Sequence, residues 1–226
     1  MIELRNVCKT FVLNGRSKTV ADRISVTFPH HTAVGVLGRN GAGKTTMLKM
    51  LAGSMEPDSG EVKVHGSISW PVGFAGSFHP DLTGLQNTRF IARVYGVDTD
   101  ELADFVADFS ELREHFYLPV RSYSSGMKSR LAFGVSMGIK FDTYLVDEVT
   151  AVGDASFKQK SEALFRARMN ESSAVMVTHA LGQVERLCDH VAVLEGGQLH
   201  YFTDVMEGIA FHQENMHRAP PETGVR

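Results

Sequence analysis

The chain has only two cysteines, Cys8 and Cys188. Two cannot make a disulfide framework, and neither has metal-ligand spacing to a second cysteine or to the ten histidines. A reducing compartment is expected. No apolar run reaches the ~20 residues that a spanning helix requires. The stretch Val64 to Pro80 lacks Asp, Glu, Lys and Arg, but Gly, Pro, Ser and His interrupt it. The N-terminus carries Glu3 and Arg5 and no apolar signal core. Basic excess is missing as well: 23 Lys and Arg stand against 26 Asp and Glu, a net charge of −3. A protein built to displace counterions from nucleic acid would show the opposite balance. No internal repeat or low-complexity tract is found. These absences exclude a secreted mini-protein, a disordered chain and an integral membrane protein. What remains is 226 residues, enough for one sizeable domain or one domain with an inserted lobe.

Residues 2–12 read as a strand, Asn14-Gly15 as a turn and Val20 to Phe28 as the returning strand. Thr32 to Leu37 is a short apolar run, as in a parallel sheet covered on both faces. Met47 to Leu51 looks helical, and Gly60 to Ile68 reads as a second hairpin. From Leu82 to about Ile139 the pattern turns helical, with Thr83, Asp98 or Thr99, and Ser124 as candidate caps. Strand and helix then alternate. Tyr144 to Val146 and Ala174 to Thr178 read as strands, and Ala155 to Met169 and Leu181 to Cys188 as helices. Val191 to Leu194 and Leu199 to Phe202 form a hairpin across Gly196-Gly197. A last helix runs near Val205 to Met216, and the tail from Arg218 is expected to fray. The fold class is therefore α/β, with a helical block inserted into the core.

Gly38-Arg39-Asn40-Gly41-Ala42-Gly43-Lys44-Thr45 fits G-x-x-x-x-G-K-[ST] in full, between a strand and a helix. Chance supplies that pattern in about one chain of this size in a hundred. Gly38 and Gly43 allow backbone angles and close approach that a Cβ would obstruct. Successive N–H groups then curl around a phosphate at the positive end of a helix. Lys44 places a point charge on the β and γ oxygens, and the Thr45 hydroxyl can ligate Mg2+. Thr46 continues the same helix start. The expected ligands are a nucleoside triphosphate and Mg2+, which calls for a second acidic site. Tyr144-Leu145-Val146-Asp147-Glu148 offers one: Asp147 for Mg2+ at the strand tip, and Glu148 to orient or deprotonate water. An ordinary strand end with a solvated acidic turn reads the same way. His179 follows another strand, where an imidazole can sense a γ-phosphate or serve structure alone.

Tyr123-Ser124-Ser125-Gly126-Met127, followed by Lys128-Ser129-Arg130, lies shortly before the Asp147–Glu148 strand. This resembles the signature segment of ATP-binding cassette (ABC) proteins, usually Leu-Ser-Gly-Gly-Gln with an Arg three places on. Ser124, Gly126 and Arg130 match; Tyr123, Ser125 and Met127 depart. The resemblance covers Met1 to about Met216. It implies ATP as the nucleotide, a P-loop core over 1–80 and 140–216 with an antiparallel β subdomain, a helical lobe over about 81–139, and a flexible tail over 217–226. Within it Phe11 matches the aromatic that stacks on adenine, though a hairpin core residue reads alike. Asp154 matches the D-loop aspartate and His179 the switch histidine. The usual proline after the glutamate is Val149. The glutamine that the family carries near Trp70–Ser77 is missing, and Gln86 falls too late to replace it, so no ligand is carried over there.

Gly76 to Gly84, with Tyr-Ser-Ser-Gly-Met and Val-Gly-Asp, looks like the ATPases of bacterial polysaccharide exporters. Ser69-Trp70-Pro71 and Arg93-Val94-Tyr95-Gly96 pull toward the capsular branch. O-antigen and teichoic-acid exporters are the neighbouring alternative, and a soluble non-transport ABC ATPase or a module without turnover the more distant ones. The resemblance implies a head-to-tail homodimer in which Lys44 and Thr45 of one copy face Ser124, Ser125 and Gly126 of the other. It implies permease subunits in the inner membrane, with this chain peripheral at their cytoplasmic face. It also implies periplasmic adaptor and outer-membrane export proteins that join through the permease. Nucleic acid and direct polysaccharide contact are not expected. Trp70, Phe74 and Phe78 are read either as a permease-facing surface or as packing beneath the lobe.

Overall fold

The computed structural model describes residues 1–13, 15–73, 76, 78–147 and 155–217. Its chain divides into two compact units. The first comprises Met1–Ile68, Asp142–Glu148 and Glu171–Arg226, and the second Ser69–Phe141 and Val149–Asn170.

The first unit holds two sheets. Strands β1 (Ile2–Leu13), β2 (Arg16–Phe28) and β4 (Ser59–Val64) form an antiparallel sheet with β1 in the middle. Ile2 and Leu4 face the core in strict alternation, but the next inward residue is Val7. Asn6 takes a positive φ of 49°, where the register with β2 shifts. That bulge turns the strand by one residue and keeps its apolar side inward. Arg23 does the same on β2, between buried Ala21 and Ile24. The part of the second sheet that lies within this unit runs β6 (Thr143–Asp147), β7 (Ser173–Val177), β3 (Ala33–Leu37), β8 (His190–Glu195), β9 (Gln198–Phe202). The first four are parallel and β9 is antiparallel to β8. β3 and β7 are buried at every residue, as doubly covered parallel strands must be. Helices α1 (Lys44–Leu51), α6 (Leu181–Leu187) and α7 (Val205–His217) complete the unit. At Gly35 a Cβ would lie 2.8 Å from a Val184 methyl, so α6 sits on β3 only because that residue has no side chain.

The second hairpin expected over Gly60 to Ile68 does not form. β4 pairs with β1, while the next strand, β5 (Ile68–Pro71), belongs to the other sheet. Ser67 instead ties the connection down: its N–H and hydroxyl both donate to Asp142 at 2.7 Å. β2 also begins four residues earlier than the pattern suggests. Arg16 to Lys18 are largely polar and carry no hydrophobic alternation, yet they pair with Leu13, Val12 and Phe11.

The second unit is built from α2 (Gly84–Tyr95), α3 (Thr99–Ser110), α4 (Ser125–Gly138) and α5 (Ala155–Met169). Thr83 and Gln86 form a reciprocal capping box at α2, and Asp98 caps α3 through the N–H groups of Asp100 and Glu101. Those bonds hold the Asp98 carboxyl below its usual range. Phe109 packs within 5.8 Å of the rings of Phe105, Phe133 and Phe157. Trp70 meets Tyr95 at 4.9 Å and Phe141 at 5.6 Å, so it is a packing residue. Gly84 is hemmed in: a Cβ there would lie 2.5 Å from Tyr123 Oη and 3.0 Å from the Phe116 carbonyl oxygen. Gly84→Ala is accordingly expected to destabilise the chain by about 1–3 kcal/mol, read from its urea midpoint.

Candidate nucleotide site

The carboxyl ends of three neighbouring parallel strands gather the motif residues of the first unit. β3 delivers the loop Gly38–Gly43, β6 ends at Asp147, and β7 leads through Thr178 to His179. Val177 pairs with Val36 on one side and Asp147 on the other. Asp147 therefore stands two strand spacings, about 10 Å, from the strand that feeds the loop. In open α/β sheets this edge is where ligands bind.

Three loop glycines have positive φ: Gly38 at 154°, Gly41 at 76° and Gly43 at 111°. Two are also closed in by the fold. A Cβ on Gly38 would lie 2.5 Å from the Leu194 carbonyl oxygen, and one on Gly43 would lie 2.6 Å from Val20 Cβ. β8 and β2 thus wall the loop from two sides, a constraint that spacing alone does not reveal. Gly43 caps α1 without a side chain, so the helix start is left to backbone N–H groups. The Lys44 ammonium donates to the carbonyls of Gly38 at 2.7 Å and Arg39 at 3.1 Å. It is 6% exposed. Thr45 is exposed and Thr46 half-buried in the first turn of α1; Asn40 and Gly41 are exposed and Ala42 half-buried along the loop.

Arg39 extends elsewhere. Its guanidinium donates to the Asn215 carbonyl at 3.2 Å, at the carboxyl end of α7, so its contribution to the cradle is its backbone. No sequence signal links Arg39 to a helix 176 residues away. α7 also buries His212, whose Nδ1 has no partner among the described residues. Burial, then the charges of Lys44 and His179, hold that imidazole below its usual range. His179 itself is exposed. Thr178 beneath it is buried, its hydroxyl donating to Gln183 Oε1 and accepting from the Ala180 N–H. Phe11 is 40% exposed, which removes it from the hairpin core. Glu148, Val149 and Asp154 lie outside the described residues, as do Phe74 and Ser77.

In the second unit the signature segment is held by the turn before it. Pro80 and Leu82 carbonyls accept from the N–H groups of Arg121 and Val120. Tyr123, where the family has leucine, is buried and donates its hydroxyl to the His115 carbonyl at 2.6 Å. Ser124 then caps α4, its Oγ accepting from the Met127 N–H at 3.2 Å. Ser125 is exposed. Among the described residues Gly126 meets nothing closer than Ser124 Oγ, 3.9 Å from where its Cβ would be. Arg130 lies over the Phe157 ring at 4.4 Å and reaches Glu111 at 3.4 Å. Gln86 has both its backbone and side chain engaged in the α2 cap, so it is no substitute for the missing glutamine.

The ABC transporter family model matches residues 21–151. The polysialic acid transport ATP-binding protein KpsT of Escherichia coli is 45% identical over 213 residues, 92% of this chain and 95% of KpsT. The capsule polysaccharide export ATP-binding protein CtrD of Neisseria meningitidis serogroup B is 41% identical over 212 residues, 94% of this chain and 98% of CtrD. Among solved structures, the dimeric post-hydrolysis state of the ATP-binding cassette MJ0796 bound to ADP and Pi superposes with a TM-score of 0.76 at 22% identity. It covers 88% of this chain and 97% of that one. With its glycine-walled loop at the carboxyl edge of a parallel sheet, the chain belongs to the ABC transporter family and has the fold of its ATP-binding cassettes.

Proposed function

We propose that this chain is the ATP-hydrolysing subunit of a capsular polysaccharide exporter, working as a homodimer on the cytoplasmic face of a bacterial inner membrane. The observation that carries the ATPase reading is the loop at the end of β3. Its glycines are fixed by Leu194 and Val20, and its buried lysine reaches across the loop. The polymer follows from relatives named for polysialic acid transport and capsule polysaccharide export, matched over nearly their whole length.

Within this reading, backbone N–H groups of Gly38 to Lys44 bind the β-phosphate, and the Lys44 ammonium turns from the loop carbonyls to the β and γ oxygens. The residues suit Mg2+. Thr45 offers an exposed hydroxyl and Asp147 a carboxylate, hard oxygen donors and too few for a full cage, as befits an ion that keeps its waters. An ion held by Thr45 and Asp147 would supply positive charge that offsets the charge of the triphosphate. Glu148 takes a proton from water as the water oxygen bonds to the γ-phosphorus. The bond from that phosphorus to the β–γ bridging oxygen breaks, releasing ADP and phosphate. His179 donates to a γ-oxygen, and Phe11 stacks on the base.

Ser124, Ser125 and Gly126 of the partner subunit complete the site, with Asp154 at the dimer seam. Gly126 supports this: among the described residues nothing forbids a Cβ there, which leaves room for a close approach by a ligand or a partner chain. Gly126→Ala should leave the melting temperature nearly unchanged and lower ATP turnover at least about tenfold. Equal turnover would remove Gly126 from the site.

The core over 1–80 and 140–216 and the lobe over 81–139 act as one cassette. No described helix is long and apolar enough to cross a membrane, so coupling requires permease subunits, with adaptor and outer-membrane proteins beyond them. α2 supports the docking: Phe90 and Val94, one turn apart, are 58% and 62% exposed. The test is export. In a capsulated bacterium carrying this chain as its export ATPase, Lys44→Ala should leave the polymer inside the cell. Unchanged surface polymer would refute the assignment.

A further inference from the structure

Lys18 lies outside the phosphate-loop motif but reaches it. It pairs directly with Phe11 across β1 and β2, so both side chains emerge on one face of that sheet. Val20, two residues on, is buried and is the side chain that closes on Gly43. Lys18 is set against the same loop: a Cβ on Gly41 would lie 3.1 Å from its Nζ. The β1–β2 ladder thus brings together an exposed aromatic ring, a cation and the wall of the loop. The neighbouring Lys9 also approaches the Phe11 ring, at 5.8 Å, but its charge is met by Asp58 at 2.7 Å and the Glu56 carbonyl at 2.9 Å. Lys18 has no ion pair among the described residues.

We propose that Lys18 is a second cationic contact for the nucleotide, engaging the α-phosphate between the Phe11 ring and the loop. A nucleotide laid with its base on Phe11 and its β-phosphate in the loop carries its α-phosphate past the residue opposite Phe11. Lys44 answers the β and γ oxygens from inside the loop, whereas Lys18 stands at the rim. The inference rests on the loop being the ATP site and Phe11 the base platform.

Because ATP and ADP share the α-phosphate, removing the charge must weaken both alike. Lys18→Met keeps the aliphatic stem, and in titrations of the full chain with MgATP and ADP it should raise both Kd values by the same factor, about fivefold. Lys18→Arg should restore most of the affinity, and the salt dependence of binding should flatten in Lys18→Met. Unchanged affinities, or a loss confined to ATP, would overturn the proposal. Lys44→Ala in the same titrations separates the two assumptions. If it loses ATP while Lys18→Met does not, only the Lys18 contact fails; if it binds ATP normally, the loop assignment fails first.

Discussion

Lys44→Ala is expected to reduce ATP turnover at least about a thousandfold, the scale on which preorganised charge stabilises phosphoryl transfer. Two consequences of the geometry make the experiment more than a deletion of charge. The ammonium also closes the loop, donating to the carbonyls of Gly38 and Arg39. Losing both bonds costs about 1 kcal/mol each in stability, enough to lower the melting temperature without unfolding the chain. A folded, slightly less stable protein that neither binds nor hydrolyses ATP is therefore the predicted outcome. Lys44→Arg keeps the charge, but its planar fork must fit a space shaped for a compact ammonium that is 6% exposed. It should rescue binding only weakly. Normal turnover by Lys44→Ala would disqualify the loop as the phosphate site.

How much of this was legible in the sequence depends on the range of the interaction that fixes each residue. The helix caps at Thr83, Asp98 and Ser124 stand where local side-chain chemistry places them, because a cap is decided within four residues. The hairpin across Gly196-Gly197 is equally local. The misread segment Gly60 to Ile68 has hairpin-like turn residues, but β1 competes for β4 from almost sixty residues away and wins. The bulges at Asn6 and Arg23 are invisible for the same reason: two inward residues three apart read as a broken alternation until the partner strand is known. At the site, the motif identified the loop and its lysine. It did not reveal that Gly38 is pressed by Leu194 and Gly43 by Val20, nor that Arg39 holds the end of α7. The departures in the signature were legible as departures only. Tyr123 has a packing reason, the hydroxyl bond to His115 and the contact with Gly84, that no local pattern encodes.

Glu148→Gln is expected to separate binding from chemistry. Asp147 closes β6 at the same sheet edge as the loop, and Glu148 is the next residue along the chain. The amide is nearly the same size as the carboxylate but cannot take a proton from water. Turnover should fall by about a hundred- to ten-thousandfold, the range that general bases supply. ATP affinity should stay close to that of the parent chain, because Lys44, Thr45 and Asp147 are untouched. An intact triphosphate held between two copies has no route to separation, so ATP with Mg2+ should convert the variant to a dimer on a sizing column, and ADP should not. Combining Glu148→Gln with Gly126→Ala should restore the monomer in ATP, since the second change removes the partner's approach while leaving the loop intact. If Glu148→Gln hydrolyses ATP at the parent rate, the base lies elsewhere, and His179 at the end of β7 becomes the residue to change next. If it stops hydrolysis but stays monomeric in ATP, Glu148 keeps its role and the sandwich dimer loses its support.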